Sequence, residues 1–281
     1  MHQLTQKLGS GDMLIKEVPY PQVGKGMVVV KNHYSIISAG TEGSTVVAAR
    51  KSLLGKAKER PQQVRQVLDT LKKQGPIQTY RAVMKKLDAY SPLGYSCAGE
   101  VLEVGKGVTE FKLGDKVACA GVGYANHAEI VSVPVNLCVK LDFDTNLKHA
   151  AYNTLGAISM QGVRQADMRL GESCVVIGLG LLGQLAALIL KASGVTVIGV
   201  DVSEAAVKKA VDNNVVDLGL IRNAAGIEEQ IQNATNGYGA DAVIIAAATS
   251  SLDPINFAGA IARKKGKVVV LGAVPTGFDR D

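Results

Sequence analysis

Residues Val175-Val176-Ile177-Gly178-Leu179-Gly180-Leu181-Leu182-Gly183 constrain the fold of this chain more than any other stretch. The glycines are spaced G-x-G-x-x-G, directly after an apolar strand pattern and directly before the apolar helical run Leu185–Leu190. The next strand pattern ends in Asp201, 18 residues past Gly183. In such a unit Gly178 makes a tight turn, Gly180 lets backbone approach a pyrophosphate, and Gly183 lets the helix pack close to the strand. The helix start at Leu181 and Leu182 offers unpaired N–H groups and a positive dipole end to phosphate. Asp201 is expected to accept hydrogen bonds from adenosine ribose hydroxyls. Its charge disfavours a 2′-phosphate, so NAD(H) is expected over NADP(H). Two other readings stay open: a glycine-rich turn without a ligand, and a site for another adenine nucleotide such as S-adenosylmethionine.

The rest of the chain falls into two halves. From about Ala151, strand patterns at Cys174–Gly178, Val195–Val200, Val215–Leu220, Ala242–Ala247 and Lys267–Gly272 alternate with helical patterns. That alternation predicts a doubly wound parallel sheet over 151–281. Residues 1–150 read as short strands and turns, which suits a small β-barrel or sandwich. The stretch from about 45 to 89 differs. Val64, Val67, Leu68 and Leu71 recur at helical spacing, with Pro61 as a start and Gly75-Pro76 as a stop. A second helix is expected from Ile77 to Leu87.

At 281 residues the chain is long enough for two domains. Its net charge is +6. Between Gly43 and Leu93 lie Arg50, Lys51, Lys56, Lys58, Arg60, Arg65, Lys72, Lys73, Arg81, Lys85 and Lys86 against Glu59, Asp69 and Asp88, a local balance of +8. Such a segment would steer a small anionic substrate, for instance a nucleotide-linked sugar or a thioester carrier; the other reading is a solvated helix face. Aromatic residues are only 4% and Trp is absent, which argues against a stacking-based nucleic-acid binder. The four cysteines form no CxxC pair. Apolar runs break well short of about 18 residues, so no membrane span is expected, and a cytoplasmic location is the default.

Further motifs fall in a fixed order. Gly99-Glu100-Val101-Leu102-Glu103-Val104-Gly105, Gly107-Val108, Phe111 and Gly114-Asp115-Lys116-Val117 come first. Ala128-Glu129 with Val133-Pro134 follows, then the glycine fingerprint, Gly239-Ala240-Asp241-Ala242-Val243, and Gly266-Lys267-Val268-Val269-Val270-Leu271-Gly272. With them the chain resembles the medium-chain dehydrogenase/reductase superfamily, the zinc-type alcohol dehydrogenases and their relatives. The resemblance implies an α/β protein: a GroES-like β-barrel catalytic domain over 1–150, then a Rossmann NAD-binding domain, with the active site in the cleft between them. It also implies an oxidoreductase, with a dimer as the usual assembly. Asn32 to Glu42 and Pro92 to Ser96 look like a bacterial subgroup. There, this module is fused to a C-terminal inositol-dehydrogenase-like oxidoreductase domain, often in surface-polysaccharide pathways. Bacteriochlorophyllide dehydrogenase is a more distant relative of similar type.

The chain departs from that family at the metal. Where zinc enzymes present Cys-x-(Ser/Thr)-(Asp/Glu), this sequence has Ala39-Gly40-Thr41-Glu42; where they present Gly-His-Glu, it has Gly94-Tyr95-Ser96. No Cys or Glu stands at 150–153, and His149 reads better as a surface residue at a helix start. Catalytic zinc needs three side-chain ligands and an open position, so no metal is expected. The resemblance puts Thr41 at the family's hydroxyl relay and Tyr95 where the zinc-binding imidazole would stand. A Tyr hydroxyl could donate a proton to a carbonyl as hydride arrives; as packing and turn residues, Tyr95 and Thr41 have simpler readings. The resemblance also brings Gly272, Ala273 and Val274 to the nicotinamide carboxamide, Ala246 and Ala247 to the adenosine and ribose side, and Thr154 to the nicotinamide face. A non-catalytic NAD-binding scaffold or sensor, serving a fused or partner oxidoreductase, is the alternative to an enzyme. Family members continue past the Gly272 strand into a sixth strand and a return segment. The chain is therefore expected to be a shortened form with an exposed sheet edge.

Overall fold

The computed structural model describes residues 1–50, 55 and 61–277. It divides into two compact units, Met1–Thr154 and Leu155–Asp281. The basic residues Lys51, Lys56, Lys58 and Arg60 lie outside the described residues, as does the acidic Glu59.

The first unit is built on antiparallel sheets. One joins β1 (His2–Lys7), β2 (Met13–Glu17) and β4 (Tyr90–Pro92) in the order β2-β1-β4. The other joins β3 (Met27–Ser35), β5 (Ser96–Val104), β6 (Lys116–Ala120), β7 (Ile130–Pro134) and β8 (Cys138–Lys140) in the order β7-β3-β5-β6-β8. Val28, Val30, Cys97, Val101, Val117, Cys119, Val131 and Val133 form the core of this second sheet. Their period of two marks one face of the strands; Val29, Ala98 and Ala118 on the opposite face are buried too. The β3–β5 ladder slips between Val29 and Val30 and again between Asn32 and Tyr34. Such bulges bend the strand end toward the segment that follows.

Helices interrupt this unit where the periodicity predicts them. The helix α2 spans Pro61–Gln74 and α3 spans Pro76–Asp88, each opened by its proline. Val67, Leu68 and Leu71 remain exposed on α2, as do the described cations Arg65, Lys72, Lys73, Arg81, Lys85 and Lys86 on the pair. An earlier helix, α1 (Ala39–Arg50), begins where a turn was the simpler reading of Thr41. The unit ends in the short α4 (Leu147–Ala150) and the first residues of α5 (Asn153–Ala166), and His149 is exposed on α4.

In the second unit β9 (Ser173–Ile177), β10 (Thr196–Asp201), β11 (Leu218–Ile221), β12 (Ala240–Ile245) and β13 (Ala262–Val270) pair in parallel, in the order β11-β10-β9-β12-β13. Successive residues of β9 enter different cores. Cys174 and Val176 pack with Ala187, Leu190, Val207 and Ala210, from α6 (Leu181–Ala192) and α7 (Glu204–Asp212). Val175 and Ile177 pack with Ile227, Ile231, Phe257 and Ile261, from α8 (Ile227–Ala234) and α9 (Asp253–Ile261). Both sheet faces are covered, which explains strands that read as continuous apolar runs.

Several strand boundaries differ from the sequence expectation: β12, expected over Ala242–Ala247, runs Ala240–Ile245, leaving Ala246 and Ala247 beyond its end. The β11 strand starts at Leu218 rather than Val215, because Val215 and Val216 pack into the core before pairing begins. Asp217 there accepts a hydrogen bond from the Val197 N–H at 2.8 Å. The β13 strand begins at Ala262 and has an irregular stretch before Lys267 re-enters register with Ala242. Arg263 is drawn into that stretch by the Asp241 carboxylate, which also accepts from the Ser173 N–H at 2.8 Å. No helix among the described residues is long and apolar enough to cross a membrane.

Candidate functional site

Sheet order reverses direction at β9, since β10 lies on one side of it and β12 on the other. The carboxyl ends of strands at such a switch point form a crevice in open α/β sheets. Here that end is glycine-lined. Gly178 adopts φ +95°, and a Cβ on it would lie 2.7 Å from the Ala247 nitrogen. A Cβ on Gly183 would lie 1.8 Å from the Gly178 carbonyl oxygen, and one on Gly272 would lie 2.0 Å from the Ala247 oxygen. Gly178, Gly183, Ala246, Ala247 and Gly272 are thus brought into direct contact, although they are spread over three strand ends and a helix.

Gly180 behaves differently. It is exposed, and a Cβ on it would meet nothing within 4 Å. It caps α6 with no side-chain hydrogen bond, so the first-turn N–H groups at Leu181, Leu182 and Gly183 have no side-chain acceptor from it. An open approach to uncapped N–H groups fits a dinucleotide pyrophosphate. Asp201 closes the neighbouring strand, and its two oxygens accept the Leu179 N–H at 2.7 Å and the Ser203 N–H at 2.8 Å. Each oxygen keeps a lone pair for a ribose hydroxyl. Ala273 accepts the Thr249 N–H at 2.9 Å, and Val274 packs beside the second core.

In the first unit, Tyr95 follows Gly94, whose φ is +98°. The Tyr95 ring is largely buried, and its carbonyl accepts from the Gly121 N–H at 2.9 Å and the Thr154 hydroxyl at 3.1 Å. The Thr154 side chain is therefore engaged with backbone inside this unit. Ser96 donates to the Ala151 carbonyl at 2.7 Å and accepts from the Thr154 N–H at 3.2 Å. Thr41 lies exposed in the first turn of α1, with its carbonyl accepting from the Ser44 and Thr45 hydroxyls.

One residue of this region escapes a reading by motif. His127 sits just before β7, with Nε2 2.8 Å from Glu42 Oε1 and Nδ1 2.8 Å from the Ser35 hydroxyl. Asn32 donates to the carbonyls on both sides of it, Asn126 at 3.1 Å and Ala128 at 2.8 Å. The only sequence signal was a His beside Ala128-Glu129, and its partner Glu42 stands 85 residues away.

The family described as "Zinc-binding dehydrogenase" matches residues 182–279, and the "Alcohol dehydrogenase GroES-like domain" matches residues 68–143. Together they cover more than half of the chain, in the order of the two units. The chain belongs to the medium-chain dehydrogenase/reductase superfamily. Among curated members of that superfamily, D-guloside 3-dehydrogenase of Escherichia coli K12 is 35% identical over 111 residues, covering 39% of this chain and 31% of that protein. NAD-dependent alcohol dehydrogenase of Sulfurisphaera tokodaii is 31% identical over 209 residues, covering 64% and 59%. The chain thus spans less than two thirds of the length of these relatives. The 2R,3R-butanediol dehydrogenase of Bacillus subtilis superposes with a TM-score of 0.73 at 20% identity, covering 99% of this chain and 79% of that one, a likeness of fold. The two matches place the superfamily's GroES-like and Rossmann domains in this chain, in that order.

Proposed function

We propose that the chain is an NAD(H)-dependent oxidoreductase that works without catalytic zinc and acts on a carbonyl or alcohol, with sugar-derived substrates the favoured class. The observation that carries this reading is the Gly178–Gly183 turn opening α6 beside Asp201, in a member of a dehydrogenase superfamily. The relatives named above as sugar-derivative and alcohol dehydrogenases support the substrate class. When bound, the nicotinamide supplies or accepts the hydride.

The chain's own residues would bind and orient. The helix α6 start holds phosphate through N–H groups, and Asp201 accepts ribose hydroxyls. Ala246, Ala247 and Gly272 leave room by having little or no side chain. The Tyr95 hydroxyl would hold and donate the proton that the substrate oxygen takes up, with Thr41 as its relay.

Catalytic zinc does not fit the residues present. Ala39 carries no donor, Tyr95 stands in place of an imidazole, and the Ser96 hydroxyl is engaged by backbone. Among the described residues, no three His, Cys, Asp or Glu side chains are grouped to hold a metal ion. These facts support the zinc-independent reading. The basic residues of α2 and α3 support an anionic substrate. The test is NADH binding by fluorescence, followed by NADH oxidation with a panel of aldehydes and ketosugars, with metal content measured on the same sample. NADH binding without oxidation of any panel member would replace the enzyme by a cofactor-binding module.

A further inference from the structure

We infer that His127 is a positioning residue, a brace that holds the segments carrying Thr41 and Tyr95 in their working geometry. The inference rests on the reading of those two side chains as the groups that meet substrate.

The His127 backbone fixes the Tyr95 side. Its N–H donates to the Leu93 carbonyl at 2.8 Å, and its carbonyl accepts from the Leu4 N–H at 2.8 Å. The Gly94 turn presses against it so closely that a Cβ on Gly94 would lie 2.6 Å from the His127 nitrogen. The imidazole fixes the Thr41 side. Nδ1 reaches Ser35, the last residue of β3, and Nε2 reaches Glu42, one residue beyond Thr41. The other Glu42 oxygen accepts the Ser38 N–H at 2.7 Å. One ring therefore ties down both ends of the segment 35–42, and one carboxylate ties down its middle.

The chemistry of the pair makes the brace stiff. An ionised carboxylate only accepts, so Nε2 carries a proton toward Glu42. Nδ1 then accepts from the Ser35 hydroxyl in a neutral ring, or donates to it in a charged one, and both forms are satisfied. The two side chains are only 9% and 10% exposed. Separating them leaves a desolvated carboxylate without its partner, which is far costlier than losing a surface pair.

The test uses the full chain with His127→Ala and His127→Gln, whose amide can still donate to Glu42. Amide hydrogen exchange is followed over residues 36–45 and 92–96, together with NADH affinity, kcat and KM. For His127→Ala, which removes the ring but keeps the backbone tie to Leu93, exchange over 36–45 should quicken about tenfold while 92–96 and β9–β12 keep their protection. NADH affinity should hold within about twofold, and kcat should fall about a hundredfold with little change in KM, the cost of misplacing a group by about 1 Å. His127→Gln should recover most of both losses. Unchanged exchange over 36–45, or exchange rising equally across β9–β12, overturns the brace. So does unchanged kcat in an otherwise active protein. Lack of turnover by the unsubstituted chain instead overturns the oxidoreductase reading, and the exchange pattern still decides whether the His127 ring holds the segment 35–42.

Discussion

Gly183 lies so close to Gly178 that a Cβ on it would stand 1.8 Å from the Gly178 carbonyl oxygen. The helix can start where it does only because this position has no side chain. Gly183→Ala should therefore push α6 off β9 and destabilise the protein by about 1–3 kcal/mol, the usual range for overpacking. Gly180→Ala should behave oppositely, because its Cβ meets nothing within 4 Å. Its melting temperature should stay near that of the parent while NADH affinity falls. Thermal melts and NADH titrations of the two variants check the contrast.

Asp201 should set the choice of dinucleotide. Its carboxylate faces ribose hydroxyls favourably and a 2′-phosphate unfavourably. Asp201→Asn keeps an acceptor near Leu179 and removes the charge. The ratio of NADPH to NADH affinity should rise at least about fivefold, since one charge beside a phosphate is worth about 1 kcal/mol or more. Paired titrations measure the ratio, and an unchanged ratio would remove Asp201 from the ribose site.

Tyr95→Phe and Thr41→Ala should slow single-turnover hydride transfer by about 10²–10⁴-fold if the hydroxyls carry the proton. Stopped-flow loss of NADH absorbance reads the step directly. Rates equal to the parent's would reduce both residues to packing and turn roles.

Asp241 links stability to acid. Burial pushes its carboxyl up, but the Ser173 N–H and the Arg263 guanidinium outweigh burial and hold it below the ordinary carboxylate value. A depressed folded value contributes stability fully above the unfolded value of about 3.9, and that contribution fades as pH falls through the folded value. Asp241→Asn should lower the melting temperature at pH 7 and by less at pH 3. Melts at the two values decide it.

Burial pushes the Cys174 thiol up to about 12. A thiol that stays protonated is a poor nucleophile. Cys174 should resist iodoacetamide in the folded protein at pH 8 and react fully once the protein is unfolded, as peptide mass mapping would show.

Local pattern was enough for much of this protein. Glycine spacing after an apolar strand, alternating strand and helix patterns, and the prolines at 61 and 76 each report a backbone requirement met within a few residues. The doubly wound sheet and the glycine turn that opens α6 were legible for that reason. Tertiary structure alone decided the rest. Val215 and Val216 are β-branched, as a strand prefers, yet they enter the core before β11 pairs. The contact of Gly272 with Ala247 depends on two strands meeting side by side. Most of all, no spacing rule links Glu42 to His127, because a side-chain pair 85 residues apart exists only after β3, β5 and β7 have fixed their register.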